Sequence, residues 1–495
     1  MPDRLLPESW VKCELGEVIT YGASKQATPD EFKPDDWLLE LEDIEKDTSK
    51  ILKRITVSVR NPKSNKNRFL PGDVLYGKLR PYLNKVVIAD QEGLCTTEII
   101  PLTPGLVEGR YLFYWLKSLE FTSYVNSVSH GLRMPRLGTK QAKAAPFVLP
   151  PSAEQTRIAN KLDELLAQVD TIKARVDAIP GILKRFRQSV LAAAVSGRLT
   201  EEWRQSNQDV EPAEVLLDKV LIERKANWNH KGKYKEPLES AVDLFPALPA
   251  SWTCASLDAL VNANRPICYG ILMPKENLRD GVLYVKVRDM KGEVINLEGL
   301  QRTSPEIAQK YERSSLVSGD ILLSIRGTYG RVVEVPDELE GGNITQDSAR
   351  LAICDQVDHR FIIHALRSNP LQKHFQSVAR GVAVKGVNIG DVRPTPIPLP
   401  PYLEQLEIDR QVAILLNFAD QIEQRVNDSQ SGIDSLTQSI LAKAFRGELV
   451  PQDPGDEPAS VLLERIRGEQ TRRTGNPKIA KRSKRASQPT VATEI

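Results

Sequence analysis

The stretch Leu149-Pro150-Pro151-Ser152-Ala153-Glu154-Gln155 returns 250 residues later as Leu399-Pro400-Pro401-Tyr402-Leu403-Glu404-Gln405. Each copy leads directly into a long run of residues with helical hydrophobic spacing. A repeat of such long period constrains the architecture before any local prediction is made. We therefore expect one structural plan that this chain of 495 residues uses twice.

Other motifs recur on either side of this stretch, with shifts between 242 and 250 residues. The pairs are Leu6-Pro7-Glu8-Ser9-Trp10 with Leu248-Pro249-Ala250-Ser251-Trp252, Pro71-Gly72-Asp73-Val74-Leu75 with Ser318-Gly319-Asp320-Ile321-Leu322, Gly197-Arg198-Leu199 with Gly447-Glu448-Leu449, and Glu211-Pro212-Ala213 with Glu457-Pro458-Ala459. The stretches after each Pro-Pro align without a gap, whereas residues 11–145 and 253–395 share only turn and strand fragments. This pattern is typical of two different modules mounted on a common frame.

A long helix is predicted after the first Pro-Pro pair, because apolar residues alternate at spacings of four and three, as in the seam of a coiled coil. These residues are Ile158, Leu162, Leu165, Val169, Ile172, Val176 and Ile179. Ser152 with Gln155 three residues later has the form of a capping box, which would start the helix. Pro180-Gly181 should kink or break it.

A second helix with the same stripe is predicted 250 residues later, with Ser431-Gly432 at the place of the first helix's interruption. Its seam residues are Ile408, Val412, Leu415, Ala419, Ile422 and Val426. Either stripe alone could instead belong to a helix buried on its own domain. Two equivalent helices related by a pseudo-two-fold axis run antiparallel, so their matched seams can bury each other. Roughly forty residues at about 1.5 Å each make a rod of about 60 Å.

The predicted fold class is α+β, with two α/β modules joined by two long helices packed as an antiparallel coiled coil. Short apolar runs at 86–88, 321–323 and 332–333 have the composition of strands, and residues 111–119 and 361–366 that of helices. The predicted segments are a first module (1–150), a first long helix region (151–199), a connecting segment (200–247), a second module (248–400), a second long helix region (401–449) and a C-terminal segment (450–495).

Composition indicates a folded protein, because hydrophobic residues make up 41% and charged residues 27% of the chain. We expect it to be cytoplasmic, because no run of eighteen apolar residues occurs and the N-terminus lacks an apolar run of signal-peptide length. The five cysteines are far apart and form no CxxC pair, so we expect reduced thiols. Because the net charge is only +2, a nucleic-acid footprint would have to come from local clusters of Lys and Arg.

Motifs of catalysis and cofactor binding are missing. Neither a phosphate-binding loop nor a dinucleotide-binding turn occurs, so ATP or NAD binding is not expected. The Asn-Pro-Pro-aromatic motif of amino-methyltransferases is absent, because Lys63 follows Asn61-Pro62 and Leu371 follows Asn369-Pro370. The five histidines show no metal-ligand spacing. We predict no catalytic residue and no metal ligand in this chain.

Cationic and amide side chains in the two modules are the remaining candidates for chemistry. Lys and Arg neutralise DNA phosphates, and Arg and Asn can form bidentate bonds to guanine and adenine edges. The alternative for any one of them is an ordinary solvated side chain. The candidate DNA contacts are Lys66, Arg68, Lys78, Arg80, Arg133 and Arg136 in the first module, and Lys286, Arg288, Arg326, Arg331, Arg380, Lys385 and Asn388 in the second.

The segment after Arg465 is polar and basic, and it has no counterpart in the first half of the chain. We expect it to be disordered. Its cations are compatible with a supporting contact to DNA phosphates.

The chain resembles the specificity subunits of type I restriction-modification enzymes over about residues 1–465. The motifs that carry the resemblance are Leu-Pro-x-Ser-Trp, Gly-Asp-x-Leu and Leu-Pro-Pro-x-x-Glu-Gln before a heptad helix, each present twice. The resemblance implies two target-recognition domains, each of which reads one half of a split, asymmetric DNA site. A rod of about 60 Å is long enough to hold two such domains one DNA turn, about 34 Å, apart.

The resemblance also implies partners. Two methylation subunits would bring S-adenosylmethionine, and restriction (motor/nuclease) subunits would bring ATP and magnesium, so none of these cofactors is expected on this chain. Three alternatives stay open at this point. The chain could be a nuclease, for which Glu31-Phe32-Lys33 lacks a well-spaced partner aspartate; a coiled-coil assembly adaptor without sequence preference; or a specificity subunit of another multisubunit restriction system.

Overall fold

The structure, a computed structural model, describes residues 6–131, 133–229, 232–240, 242–381 and 385–474. The chain forms two compact units. The first comprises Met1–Asp177 with Asn427–Ile495, and the second comprises Ala178–Val426. Each long helix therefore contributes its first part to one unit and its second part to the other.

The first module contains nine short strands and five helices. Its strands are β1 (Val11–Glu14), β2 (Gln26–Ala27), β3 (Leu38–Leu39), β4 (Lys66–Phe69), β5 (Val74–Gly77), β6 (Val86–Ile88), β7 (Gly93–Cys95), β8 (Ile99–Leu102) and β9 (Pro146–Leu149). Its helices are α1 (Leu15–Val18), α2 (Val57–Arg60), α3 (Gly109–Lys117), α4 (Leu119–Val128) and α5 (Thr139–Lys143), with short 3-10 turns at Pro29–Glu31, Leu41–Asp43 and Pro81–Leu83.

Three sheets build the first module. β1 pairs with β9 antiparallel, so the two ends of the module meet in one ribbon. A three-stranded sheet has the order β6-β5-β8, and a four-stranded sheet has the order β2-β4-β7-β3. Because the three-stranded sheet is covered on both faces, all four residues of β5 are buried.

The helices α6 (Ser152–Val195), α7 (Glu201–Ser206) and α8 (Ala213–Ala226) follow, and then the second module. Its strands are β10 (Thr253–Ser256), β11 (Cys268–Tyr269), β12 (Val282–Val285), β13 (Met290–Lys291), β14 (Val294–Ile295), β15 (Gln301–Thr303), β16 (Ile321–Ser324), β17 (Val332–Glu334), β18 (Asn343–Ile344), β19 (Ser348–Leu351) and β20 (Pro396–Leu399). Its helices are α9 (Pro305–Lys310), α10 (His359–Arg367), α11 (Asn369–Val378) and α12 (Ile389–Val392), with 3-10 turns at Val287–Asp289, Glu312–Ser314 and Asp337–Leu339.

The second module repeats the plan of the first. β10 pairs with β20 antiparallel as β1 does with β9, and the sheet orders are β11-β19-β16-β17, β15-β12-β18 and β13-β14. The described part of the chain ends with α13 (Tyr402–Ala444) and α14 (Ala459–Thr474). The predicted α+β class with an internal repeat is confirmed.

The two long helices run antiparallel where they meet in the first unit. Lys173 Nζ lies 2.8 Å from Asp434 Oδ1, and Gln430 Nε2 donates to Asp177 Oδ1 at 2.9 Å, so residue numbers fall along α13 as they rise along α6. In the second unit Arg187 lies 2.6 Å from a carboxylate oxygen of both Asp420 and Glu423. Knobs-into-holes packing of a coiled coil stays a prediction.

Most predicted seam residues are buried, and one of them, Ile172, is exposed. The fully buried ones are Ile158, Leu162, Val169, Ile408, Val412, Ala419 and Val426, and Leu165, Val176, Leu415 and Ile422 are partly buried. Ile172 is 49% exposed, and the bonds to α13 next to it are the polar ones of Lys173 and Asp177. Neither long helix is broken at its predicted interruption, because α6 continues through Pro180 and α13 through Gly432.

The repeated Trp and Glu-Gln motifs hold each module to the start of a long helix. Trp10 Nε1 donates to Glu154 Oε2 at 2.9 Å, and Trp252 Nε1 donates to Glu404 Oε2 at 2.9 Å. Burial raises the pKa of the Glu154 carboxyl above its usual range, although its hydrogen bonds lower it. The distant repeats of the sequence are therefore two copies of one buried contact.

The glutamines of these motifs correct the predicted capping box. Gln155 Oε1 accepts from the Glu108 backbone N–H at 2.9 Å, and its Nε2 donates to Pro150 O at 2.9 Å. Gln405 makes the same two bonds to the Asp358 N–H and Pro400 O. The side-chain amide therefore bonds the adjoining module, and the predicted reciprocal bond with Ser152 is replaced.

The C-terminal segment completes the first unit. Ala459 N donates to Ser9 O at 3.0 Å, as Ala213 N donates to Ser251 O at 2.9 Å in the second unit. The apolar residues Ala459, Leu462, Leu463 and Ile466 of α14 belong to the first module's core. The predicted disorder after Arg465 is therefore wrong up to Thr474, since burial of this face stabilises the helix. Its remaining cations, Lys478 to Arg485, lie outside the described residues.

Candidate DNA interface

Two loops of the first module are joined into one surface, which we call the first loop pair (residues 78–84, 130–131 and 133–136). Arg80 N donates to Pro135 O at 2.7 Å, and Leu137 N donates to Lys78 O at 3.0 Å. These bonds bring together two pairs of predicted contacts that are more than fifty residues apart in sequence, namely Lys78 and Arg80 with Arg133 and Arg136. Arg80, Arg133 and Arg136 are exposed.

The second module has the equivalent second loop pair (residues 325–331, 380–381 and 385–388). Gly327 N donates to Lys385 O at 3.2 Å, and Val387 N donates to Ile325 O at 2.8 Å. This arrangement brings together Arg326, Arg380, Lys385 and Asn388, all of them exposed. Exposed cations and an amide on paired loops can neutralise phosphates and bond base edges.

Arg80 has an unusual backbone conformation at the centre of the first loop pair. Its φ is +50°, in the left-handed region, and the second loop pair has Gly327 with φ +69° at the position shifted by 247 residues. A non-glycine residue pays roughly 1–2 kcal/mol for this conformation. An arginine where the repeat uses glycine is a strained residue of the kind that clusters at binding sites.

Three predicted contacts are corrected by their internal bonds. Lys66 is only 6% exposed, and its ammonium donates to Ser64 Oγ at 3.0 Å. Arg331 donates to Val287 O at 3.1 Å and Met290 O at 2.6 Å. Burial lowers the pKa of Lys286, which lies over the Tyr284 ring and donates to Gln301 Oε1. These cations hold their own module together and are poorly placed to meet a ligand.

The other predicted contacts are exposed apart from Lys78, which is half-buried, and several have a carboxylate neighbour. Arg136 lies 3.2 Å from Glu98, Arg288 lies 3.5 Å from Asp289, and Arg380 lies 3.6 Å from Asp391. Ion pairs between exposed groups are weak, so a phosphate can replace the carboxylate. Arg68 lies on β4, in a different sheet from the strand that leads into the first loop pair.

The sequence analysis missed the apolar part of this surface. Tyr82 is 52% exposed and Met134 45% exposed, and both lie on the first loop pair. Tyr82 corresponds to Tyr329 at the shift of 247 residues that relates the Gly-Asp motifs. This repeated tyrosine is the feature of the sequence from which the apolar part could have been predicted. Apolar side chains of this kind can contact the thymine methyl group in the major groove.

The described residues contain neither a metal-binding cluster nor a membrane-spanning helix. No group of three or more histidine, cysteine, aspartate and glutamate side chains there could hold a metal ion. None of the helices formed by those residues is long and apolar enough to cross a membrane.

Comparisons with known proteins give the same repeated plan. A family model described as the type I restriction modification DNA specificity domain matches residues 7–180 and 274–429. The chain is 36% identical over 366 residues to the type I restriction enzyme EcoBI specificity subunit of Escherichia coli, covering 72% of this chain and 71% of that protein. It is 31% identical over 386 residues to the EcoKI specificity subunit of Escherichia coli (strain K12), covering 76% and 75%.

Solved structures share the fold at lower identity. One, described as "Structural basis underlying complex assembly andconformational transition of the type I R-M system", has a TM-score of 0.62 and 18% identity, and covers 90% of this chain and 100% of that chain. The HsdS subunit from Thermoanaerobacter tengcongensis has a TM-score of 0.52 and 20% identity, with 90% and 99% covered. Since the family model matches well over half of its residues, the chain belongs to the type I restriction-modification DNA specificity family.

Proposed function

We propose that the chain is the DNA-sequence recognition subunit of a type I restriction-modification complex, in which each module reads one half of a split, asymmetric site. The observation that carries this proposal is the loop pair, because it occurs once in each module and differs in its side chains between the two. Equivalent backbones with different side chains suit two different base sequences. The chain is a specificity subunit and not a catalytic one, as the names of its relatives state.

The proposal assigns the chemistry to partner subunits. Two methylation subunits would supply S-adenosylmethionine, and restriction subunits would supply ATP and magnesium. The chain would direct them to the site on DNA in the cytoplasm. The family relationship favours this assignment over an adaptor without sequence preference and over a specificity subunit of another restriction system.

Each module should be exchangeable as a unit, because its two ends meet. Val11 pairs with Leu149, and Thr253 pairs with Leu399, in antiparallel ribbons whose partner Cα atoms are typically about 5 Å apart. Replacing residues 11–149 by the equivalent module of a relative should change one half of the methylated site. Co-expression with the partner subunits and single-molecule sequencing of methylated DNA measures this change.

The reciprocal exchange of residues 253–399 is the matched control, and it should change only the other half of the site. The length of the gap should stay the same in both exchanges, since the long helices are untouched. A change of both halves after either exchange would contradict the modular proposal, and an unchanged site would place recognition outside the modules.

Arg80 is predicted to contact DNA, and its backbone conformation allows a clean test. Arg80→Gly removes the side chain and also relieves the left-handed strain, whereas Arg80→Ala removes the side chain and keeps the strain. Both should lose about 1–3 kcal/mol of affinity for a matched duplex if the contact is to a base. The alanine variant should be less stable than the glycine variant by about 1 kcal/mol, because only the alanine variant keeps the strain.

Affinity on matched and single-mismatch duplexes at several salt concentrations, together with thermal melting, separates these effects. Lys33→Ala, which removes an exposed cation outside the loop pair, is the control and should bind like the parent. An equal loss on every duplex with a smaller salt slope would identify Arg80 as a phosphate contact. Parental binding by both Arg80 variants would exclude a contact.

A further inference from the structure

A groove of the second unit lies between the last third of α6 and the start of α11. It has a volume of about 370 Å³ and is lined by Lys184, Arg185, Gln188, Ser189, Ala192 and Asn369. We call it the basic groove. One water molecule occupies about 30 Å³, so the basic groove has room for a phosphodiester group.

The basic groove carries two cations without a carboxylate partner. Lys184 and Arg185 are exposed, and neither makes an ion pair within the described part of the chain. Arg187, on the same helical turn, is by contrast neutralised by Asp420 and Glu423. The rest of the lining consists of two amides, one hydroxyl and the apolar Ala192. The amides and the hydroxyl can donate hydrogen bonds to phosphate oxygens. The two unpaired cations therefore favour an anion over a neutral ligand at this groove.

The groove adjoins the second loop pair through α11. Asn369 begins this helix, and three residues later Gln372 Nε2 donates to Gly330 O at 2.9 Å. Gly330 belongs to the loop that also carries Arg326. The residue that lines the groove and the residue that holds the loop are therefore within one turn of the same helix, since a turn takes 3.6 residues.

The corresponding place in the first unit has different chemistry. At the shift of 250 residues Lys184 becomes Asp434, Arg185 becomes Ser435, and Asn369 becomes Leu119. Asp434 is bonded to Lys173, and Leu119 is 60% exposed. The repeat keeps the backbone plan here, but only the second unit carries the basic groove.

We propose that the basic groove binds backbone phosphates of the DNA that the second module reads, and that the first unit makes no such contact. This inference rests on the proposed function. A DNA strand engaged by the second loop pair continues past the loop with one phosphate per nucleotide. These phosphates are the anions that the two cations of the groove would bind. The contact would position the second module on DNA without contributing sequence preference.

Replacing Lys184 and Arg185 by glutamine keeps the length of the side chains and removes both charges. Loss of two phosphate contacts should lower the slope of log affinity against log salt by about 1.8. The affinity deficit of the variant should therefore be about tenfold smaller at 200 mM than at 50 mM salt. The deficit should be the same on matched and single-mismatch duplexes.

The test uses the assembled complex with its methylation subunits, and duplexes in which single phosphates are replaced by neutral methylphosphonates. In the parent, at least one neutral phosphate at the half-site of the second module should weaken binding, and at that same position the variant should show no further loss. The control replaces Lys161 and Arg410 by glutamine, since each of these cations is already paired with a glutamate three residues away. The control should keep the parental slope.

Three results overturn the inference or the function behind it. If the variant keeps the parental slope, the groove binds no DNA phosphate. If it keeps the slope but releases the methylation subunits in gel filtration, the groove docks an acidic protein surface instead. If the parent complex itself fails to distinguish matched from mismatched duplexes, the proposed function is wrong, and that failure is seen without any variant.

Discussion

Replacing Leu162 by aspartate is expected to destabilise the first unit by about 3–5 kcal/mol, because it buries an uncompensated charge. Leu162 is fully buried on α6, in the core that also contains Leu441 and Ala444 of α13 and the residue that follows them, Phe445. The carboxylate would have no water and no cation in this core, since its surroundings are apolar side chains. The assembled protein should melt at a lower temperature and lose partner binding with it.

The matched control is Ile172→Asp on the same helix, ten residues further on. Ile172 is 49% exposed, so its replacement should change stability by no more than about 0.5 kcal/mol. Hydrogen exchange of β5 in the first module and β16 in the second separates the two units. Equal losses for both variants would mean that the seam is wrongly placed. Loss of protection in β16 alone would mean that Leu162 supports the other unit.

Replacing Glu404 by alanine is expected to have the second large effect, again of about 3–5 kcal/mol. Glu404 is fully buried, and it accepts from Trp252 Nε1 at 2.9 Å and from Thr200 Oγ1 at 2.7 Å. It also forms an ion pair with Arg204 at 3.1 Å. Without this carboxylate, the donors of Trp252 and Thr200 lose their acceptor. The guanidinium of Arg204, whose side chain is only 22% exposed, loses its ion pair.

Glu154→Ala is the matched variant in the first unit and should cost less, about 1–3 kcal/mol. Its carboxylate accepts from two neutral donors, Trp10 Nε1 at 2.9 Å and Gln452 Nε2 at 2.6 Å. Denaturant unfolding followed by hydrogen exchange in each unit measures both losses. A larger loss for Glu154→Ala than for Glu404→Ala would show that the ion pair with Arg204 adds nothing.

Much of the frame could be predicted, because it depends on local periodicity. The starts of both long helices and most of their buried residues follow from apolar spacing, which a helix converts directly into one face. A kink or break was predicted at Pro180, and the structure shows no break there. A proline removes one hydrogen bond of the helix, and burial along the rest of the 44 residues outweighs that loss. Ile172 was predicted wrongly because spacing gives the face of a residue but not what covers it.

The candidate site could be predicted only in part. Charge and residue type indicated the two loops that carry Arg80 and Arg326, but the same criteria selected Lys66 and Arg331, whose donors are bonded internally. Exposed and internally bonded cations have the same sequence signature. The basic groove was missed altogether, because Lys184 and Arg185 lie on a helix that was considered only for its apolar seam.

The sequence by itself determined the two-fold plan, the two long helices, the α/β character of the modules and the family, since repeat shifts and hydrophobic spacing are present in the order of residues. Only the tertiary structure decided which partners the repeated motifs have. Trp10 meets Glu154 across 144 residues, and Arg157 meets Asp456 across 299. Such contacts depend on how each unit folds, and burial at these sites determines which polar groups have internal partners and which stay exposed.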